Sequence, residues 1–201
     1  MIFHPLPPGP ARVDEDVART DPELLRGVAE GNLTYLGDLY DRHALGVWRT
    51  VRRTLGDAAD VEDVVHATFL GLPRIAASYD GRLHCDDWLK GIAVRIAMRR
   101  DRGVGRFRRM VSSLASVTSR WSSSDPERSA IHREDVAILE HAVAMLSLKK
   151  RAVFVLVELE GLTSEAAANA LSIPAATVRS RLFHARRELH TALADGHWTK
   201  N

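Results

Sequence analysis

Apolar side chains recur every three or four residues along most of the chain, which is the spacing of an amphipathic α-helix. The recurrence covers residues 24–28, 33–55, 61–72, 88–97, 138–159 and 166–189. No run of alternating apolar and polar residues bounded by turn residues indicates a strand. The pattern therefore predicts an all-α protein.

The interruptions of this pattern predict where helices end and begin. Gly31-Asn32 and Gly56 end the first two helices, and Asp60 is a candidate cap for the third, which Gly71 and Pro73 weaken at its end. A loop with an Asp80-Gly81 turn spans 78–85. Asp86 or Asp87 is expected to cap the helix after it.

Two segments of the chain lack the apolar helical pattern, one at its start and one in its middle. We therefore expect two small helical domains joined by a flexible linker. Residues 1–19 form a leader that contains four prolines, and 111–130 contains eight serines and too little apolar surface to offset the cost of ordering a chain. The predicted domains are therefore 20–110 and 131–196, followed by a tail at 197–201.

The segment 161–189 has the features of a helix-turn-helix. Gly161 is able to end one helix, Thr163 to cap the next, and Pro174 suits the first turn of a third. Val178 and Leu182 begin an apolar face that continues through Ala185 and Leu189. The residues left outside are mostly basic or hydrogen-bonding, and such a helix fits the DNA major groove: Thr177, Arg179, Ser180, Arg181, His184 and Arg187. The alternative is a solvated charged helix in an ordinary bundle.

Charge is balanced overall, at +2, but segregated along the chain. Residues 93–110 contain seven arginines and one acid, whereas 57–63 contains four acids and no base. This separation suggests one surface for an anionic partner and another for a cationic partner.

Other chemistry has little support. The single cysteine, Cys85, excludes an intramolecular disulfide and suits a reducing cytoplasm. No secretion signal is recognisable, and the longest apolar run, 152–157, is too short for membrane insertion. Phosphate-loop, zinc-protease and paired-cysteine patterns are missing from the sequence. We therefore expect no enzyme, cofactor or metal; Asp60, Asp63 and His66 alone make a weak metal candidate.

These segments, in this order, resemble an extracytoplasmic-function (ECF) sigma factor, the minimal form of the sigma-70 family. LYDRHALGVWRTVRRTLGDAADVEDVVHATFLGL and SYDGRLHCDDWLKGIAVRIAMRRDR resemble region 2 of that family. LSLKKRAVFVLVELEGLTSEAAANALSIPAATVRSRLFHARREL resembles region 4. Together they span roughly 24–193.

The resemblance implies a cytoplasmic factor that directs promoter-specific initiation of transcription. Its implied partners are promoter DNA, the clamp helices and flap of the RNA polymerase core, and an anti-sigma factor. In region 2 the implied polymerase-binding residues lie in DVEDVVHATFL, which has His66-Ala67 where the family commonly has Gln-Glu. They are Asp60, Glu62, Asp63, His66 and Phe69.

The resemblance also implies two DNA-reading surfaces. Region 2 reads the melted minus-ten element with Arg82, His84, Lys90, Arg95, Arg99 and Arg102. Region 4 reads the duplex minus-thirty-five element with the helix-turn-helix residues given above. Arg95 and Arg99 replace a usual Asn and a frequent Asp, and Ala176 and His184 replace a usual Gly and Arg. The bases that this chain prefers therefore do not follow from the residues usual in the family.

A second function fits the same pattern: a helix-turn-helix transcriptional regulator with an N-terminal sensing or dimerisation domain. Such a regulator binds duplex operator DNA alone. A sigma factor binds core polymerase and needs it to recognise a promoter.

Overall fold

The computed structural model describes residues 19–56, 58–111 and 139–194, with side chains except at 58, 59 and 101–111. The predicted linker except Val111, the predicted tail, and the leader before Arg19 lie outside these ranges. All regular structure within them is helical, which confirms the all-α prediction. None of the described helices is long and apolar enough to cross a membrane.

The first bundle is built from four α-helices, which end close to where the sequence predicts. They are α1 (Asp21–Ala29), α2 (Leu33–Leu55), α3 (Ala58–Ile75) and α4 (Cys85–Val111), with a 3-10 turn at Ala76–Ser78. Asn32 caps α2 by accepting from the backbone N–H of Thr34 at 2.9 Å. Gly56 ends α2 in the left-handed conformation, with φ of 82°.

Two of the predicted helix starts are shifted. α3 begins at Ala58, so Asp60 lies in its first turn, where a carboxylate complements the positive helix end. α4 begins at Cys85, ahead of Asp86 and Asp87. In both cases the aspartates favour the helix start without being the first helical residue.

The second bundle contains the predicted helix-turn-helix. Residues 139–145 are helical, followed by α5 (Leu148–Phe154), a π-helical turn at Val155–Leu159, α6 (Ser164–Leu171) and α7 (Ala175–Ala194). Thr163 caps α6 by accepting from the N–H of Ala166 at 3.1 Å. Gly161 and Ser172 adopt positive φ, 78° and 54°, and make the tight breaks on either side of α6.

The two bundles have separate apolar cores but pack directly on each other. α4 is the shared element: Leu89 and Ala93 belong to the first core, whereas Val94 is buried in the second. At the crossing of α4 and α6, a Cβ built on Gly91 lies 2.7 Å from the Cβ of Ala170. This approach is closer than any side chain at position 91 allows.

Candidate nucleic-acid interface

The recognition helix α7 presents its polar face as predicted. Val178, Leu182, Ala185 and Leu189 are buried in the second core. Arg179, Ser180, His184 and Arg187 are exposed, and Thr177 and Arg181 are half-buried. The tertiary packing therefore leaves a polar, basic helix face available to a nucleic acid.

Arg179 is held in place by a neighbour from the first helix of the motif. Its Nη1 lies 3.0 Å from Glu165 Oε1, and both side chains are more than half exposed. Exposed ion pairs of this kind contribute little net stability. Glu165 therefore orients the guanidinium without preventing its exchange onto a phosphate or a base edge.

A compact loop precedes α4 and presents two predicted DNA-binding residues. Tyr79 donates its hydroxyl to the carbonyl of Leu83 at 2.7 Å, and Gly81 makes the turn with φ of 72°. Arg82 and His84 are exposed on this loop. Arg82 Nε lies 3.2 Å from Asp80 Oδ2, so this arginine too is tethered at the surface.

The basic residues on α4 differ in accessibility, and Lys90, a predicted DNA-binding residue, is the least accessible of those with described side chains. Lys90 is buried, and its Nζ lies 2.6 Å from Asp86 and 2.7 Å from Glu160. Burial lowers its pKa, but the bonds to these two carboxylates outweigh that effect and raise the pKa above its usual value. Lys90 therefore belongs to the contact between the bundles and is covered in this conformation. Arg102 lies outside the residues with described side chains.

Arg95 and Arg99 lie at the edge of the same contact. Arg95 donates to Ser172 Oγ at 2.5 Å, and burial, followed by the nearby charge of Arg99, lowers its pKa. Arg99 is exposed. A cleft of about 350 Å³ lies between the bundles here, and its lining includes four basic residues: Arg95, Arg99, Lys149 and Arg181. Candidate DNA-binding residues of both bundles thus meet in one cationic cleft.

Further polar contacts hold the bundles together, and the sequence analysis did not find them. Arg53 Nη1 lies 2.9 Å from Glu160 Oε1, so Glu160 bridges α2 and α4. Arg151 donates to the backbone carbonyl of Thr54 at 3.1 Å. Residues more than ninety positions apart make these contacts, so no local pattern could have shown them.

The acidic surface of α3 is present but less simple than predicted. Glu62, Asp63 and His66 are exposed and Asp60 is half-buried, while Asp63 Oδ2 accepts from Arg100 at 3.1 Å. Phe69 is only 3% exposed, because most of its ring faces the core and packs edge-on against Tyr40.

An apolar groove lies beside this acidic surface. Phe69 forms part of its lining, together with His66 and Leu36. Leu33 and Leu70 also line it and are 74% and 75% exposed. Exposed leucines beside a row of acids make a surface suited to a partner that is both apolar and basic.

Each of the two bundles matches a known family profile. The family profile described as sigma-70 region 2 matches residues 39–112, and the profile described as sigma-70, region 4 matches residues 137–189.

Characterised proteins agree with these matches. The chain is 34% identical over 173 residues to the ECF RNA polymerase sigma factor SigL of Mycobacterium tuberculosis, covering 84% of this chain and 94% of that protein. It is 29% identical over 179 residues to the RNA polymerase sigma factor NccH of Alcaligenes xylosoxydans xylosoxydans, covering 86% of this chain and 94% of NccH.

A solved structure has a similar fold. CnrH, in complex with the cytosolic domain of CnrY, matches with a TM-score of 0.59 and 26% identity, over 88% of this chain and 98% of CnrH.

Proposed function

Because the chain belongs to the ECF sigma factors of the sigma-70 family, we propose that it binds the RNA polymerase core and directs it to promoters through two separate DNA-reading surfaces. The supporting observation is the succession of a region 2 match and a region 4 match along one chain. The alternative, a regulator with a sensing or dimerisation domain, does not account for a region 2 sequence before the helix-turn-helix.

The core polymerase docks on the acidic face of α3. Glu62 and Asp60 provide negative charge, and the groove lined by Leu33 and Leu70 provides apolar area next to it. Electrostatic complementarity of this kind speeds association and selects the partner, while apolar contacts slow dissociation. Partner binding also explains two leucines that are otherwise costly to leave in water.

The promoter is read at two places. Arg82 and His84 lie just before α4, and Arg95 and Arg99 lie on the side of α4 that lines the cleft; once the bundles separate, these residues form a basic wall that suits a melted strand. The exposed face of α7, beginning at Thr177 and Arg179, suits the major groove of the upstream duplex. The expected location is therefore the cytoplasm, where polymerase and promoter DNA are.

The packing of the two bundles is incompatible with simultaneous reading of both elements. The minus-ten and minus-thirty-five elements are about 25 base pairs apart, on the order of 80 Å at about 3.4 Å per base pair. In this conformation Arg95 and Arg99 of α4 line the same cleft as Arg181 of α7. Lys90 and Arg95 are also covered, by Glu160 and Ser172. The conformation described here is therefore a closed form, which opens when the factor engages polymerase. CnrH was solved with the cytosolic domain of CnrY, and we infer that an anti-sigma factor stabilises the closed form of this chain.

Charge reversal on α3 tests the docking surface. The double variant Asp60→Lys and Glu62→Lys is expected to bind purified core polymerase about tenfold more weakly at low salt, with a smaller loss at high salt, because exposed charges are screened. Binding is measured by fluorescence anisotropy of the labelled full chain. Glu30→Lys, an exposed acid at the end of α1, is the control and leaves affinity unchanged. Equal affinity of the double variant and the wild type removes the docking assignment.

Reconstitution tests the function itself. Core polymerase with this protein is expected to give run-off transcripts from a cognate promoter, whereas neither component does so alone. Promoter fragments for this assay are selected from genomic DNA by binding to the reconstituted holoenzyme. Sequence-specific operator binding by the free chain, without core binding, would instead support the regulator.

A further inference from the structure

Three side chains from three different helices meet at one buried point of the first bundle. Asp21 is the first residue of α1, His43 lies in the middle of α2 and Cys85 is the first residue of α4. One potential ligand atom from each residue lies within 4.8 Å of the other two. Carboxylate oxygen, imidazole nitrogen and thiolate sulfur are the three donor types that zinc uses in proteins.

His43 is oriented as a metal ligand would be. It is 8% exposed, and its Nδ1 lies 3.5 Å from Asp86 Oδ1. A carboxylate at one ring nitrogen directs the other nitrogen toward a metal and strengthens it as a donor. The geometry thus assigns Nδ1 to Asp86 and leaves Nε2 facing Asp21.

The Nε2 atom of His43 has a close carboxylate neighbour but no well-aligned hydrogen bond to it. It lies 3.1 Å from Asp21 Oδ2, but the carboxylate is not aligned with the ring N–H. Nε2 is therefore a buried atom without a hydrogen-bond partner among the described residues. Buried polar atoms in native proteins are normally partnered, so an additional partner at this point is expected. Asp21 is anchored from its other side, since Oδ1 accepts from Arg42.

We propose that Asp21 Oδ2, His43 Nε2 and Cys85 Sγ bind one divalent cation of the zinc class. The mixed oxygen, nitrogen and sulfur set excludes the hard cations Mg²⁺ and Ca²⁺, which prefer oxygen alone. Zinc–ligand bonds of about 2.0–2.3 Å require the donor atoms to move together by roughly 1 Å or less. Three protein ligands leave a fourth position for water.

Binding releases the protons carried by the donor atoms, because a cation binds a thiolate and a neutral imidazole. The cation therefore replaces the thiol proton of Cys85 and any proton on Nε2 of His43. The bound cation links α1 to α2 and α4 directly behind the loop containing Arg82 and His84. It therefore stabilises the part of the first bundle next to that loop. This proposal does not depend on the promoter-binding proposal, because it concerns the chain alone.

Cobalt titration of the untagged full-length chain tests the proposal. Cys85 is the only cysteine in the sequence, so any thiolate-to-cobalt charge-transfer band must come from this residue. We expect the band to saturate at one equivalent of Co²⁺ and to disappear on addition of Zn²⁺. Zn²⁺ is also expected to raise the melting temperature of the protein.

Variants distinguish a three-ligand site from cysteine alone. His43→Gln and Asp21→Asn are each expected to lose the band or weaken cobalt binding at least tenfold. His190→Gln, at an exposed histidine of α7 outside the cluster, leaves the band unchanged, and circular dichroism confirms folding of each protein. A wild-type titration without the band shows that His43 is only ion-paired with Asp21 and Asp86, and overturns the proposal. The proposal is also overturned if both cluster variants keep the band and bind cobalt as tightly as the wild type does.

Discussion

Gly91→Ala is expected to separate the two bundles. The added Cβ would lie 2.7 Å from Ala170 Cβ, 2.8 Å from its carbonyl oxygen and 2.9 Å from its Cα. Two of these atoms belong to the backbone of α6, so no side-chain rotation relieves the overlap. Overpacking of this kind costs about 1–3 kcal/mol. The overlap destabilises only the closed form, because α4 can stay helical while α6 moves away.

The closed-to-open ratio should then fall by roughly 5–150-fold. We expect a larger radius of gyration of the free chain by small-angle X-ray scattering. Single-stranded DNA of minus-ten sequence should also bind more tightly, because Lys90 and Arg95 are uncovered.

A matched glycine substitution provides the control. Gly37→Ala changes an exposed glycine of α2 whose built Cβ meets nothing within 4 Å. Gly37→Ala therefore stabilises its helix by the same amount, about 0.5–1 kcal/mol for replacing a helical glycine by alanine, without creating an overlap. A Gly91→Ala chain with the same scattering profile as Gly37→Ala would show that the contact between α4 and α6 does not limit opening.

Arg179→Ala is expected to weaken holoenzyme binding to the upstream duplex by about 1–3 kcal/mol, the range of a bidentate contact between arginine and a base. The loss should be absent on promoter fragments that lack the minus-thirty-five element. Arg99→Ala should instead reduce strand opening, which permanganate footprinting detects, and leave upstream duplex binding intact.

Arg186→Ala is the matched control for this experiment. Arg186 lies on the same helix, is exposed and pairs with Glu158, just as Arg179 pairs with Glu165. Both variants therefore lose one charge and one exposed ion pair. If Arg186→Ala weakens upstream binding as much as Arg179→Ala does, the loss of binding comes from the loss of positive charge alone. Arg179 then makes no specific contact with the DNA.

The elements that local patterning determines were predicted well. The inward face of α7, the Thr163 cap and the breaks at Gly161 and 172–174 all depend on residues within a few positions of each other. A cap, a positive-φ residue and an apolar stripe each act over one or two helical turns. The exposure of Arg179 and Ser180 follows directly from this stripe.

The side on which a helix meets another element was not predictable from the sequence. Lys90 was expected on a DNA-binding surface but is buried against Glu160. Phe69, predicted to bind the polymerase, packs beside Tyr40 and reaches the apolar groove only with part of its ring. The π-helical turn at Val155–Leu159 has no distinct signal, because a short apolar run is compatible with either helical hydrogen-bonding pattern.

The sequence by itself determined the all-α character, the helix-turn-helix, the segregation of acidic and basic residues along the chain and the family resemblance, because each depends on spacing along the chain. Only the tertiary structure decided which of these surfaces are covered. The contact of Gly91 with Ala170 and the meeting of Asp21, His43 and Cys85 join residues that are 22 to 79 positions apart. Contacts of that kind are set by how whole helices pack, and no local pattern of residues encodes them.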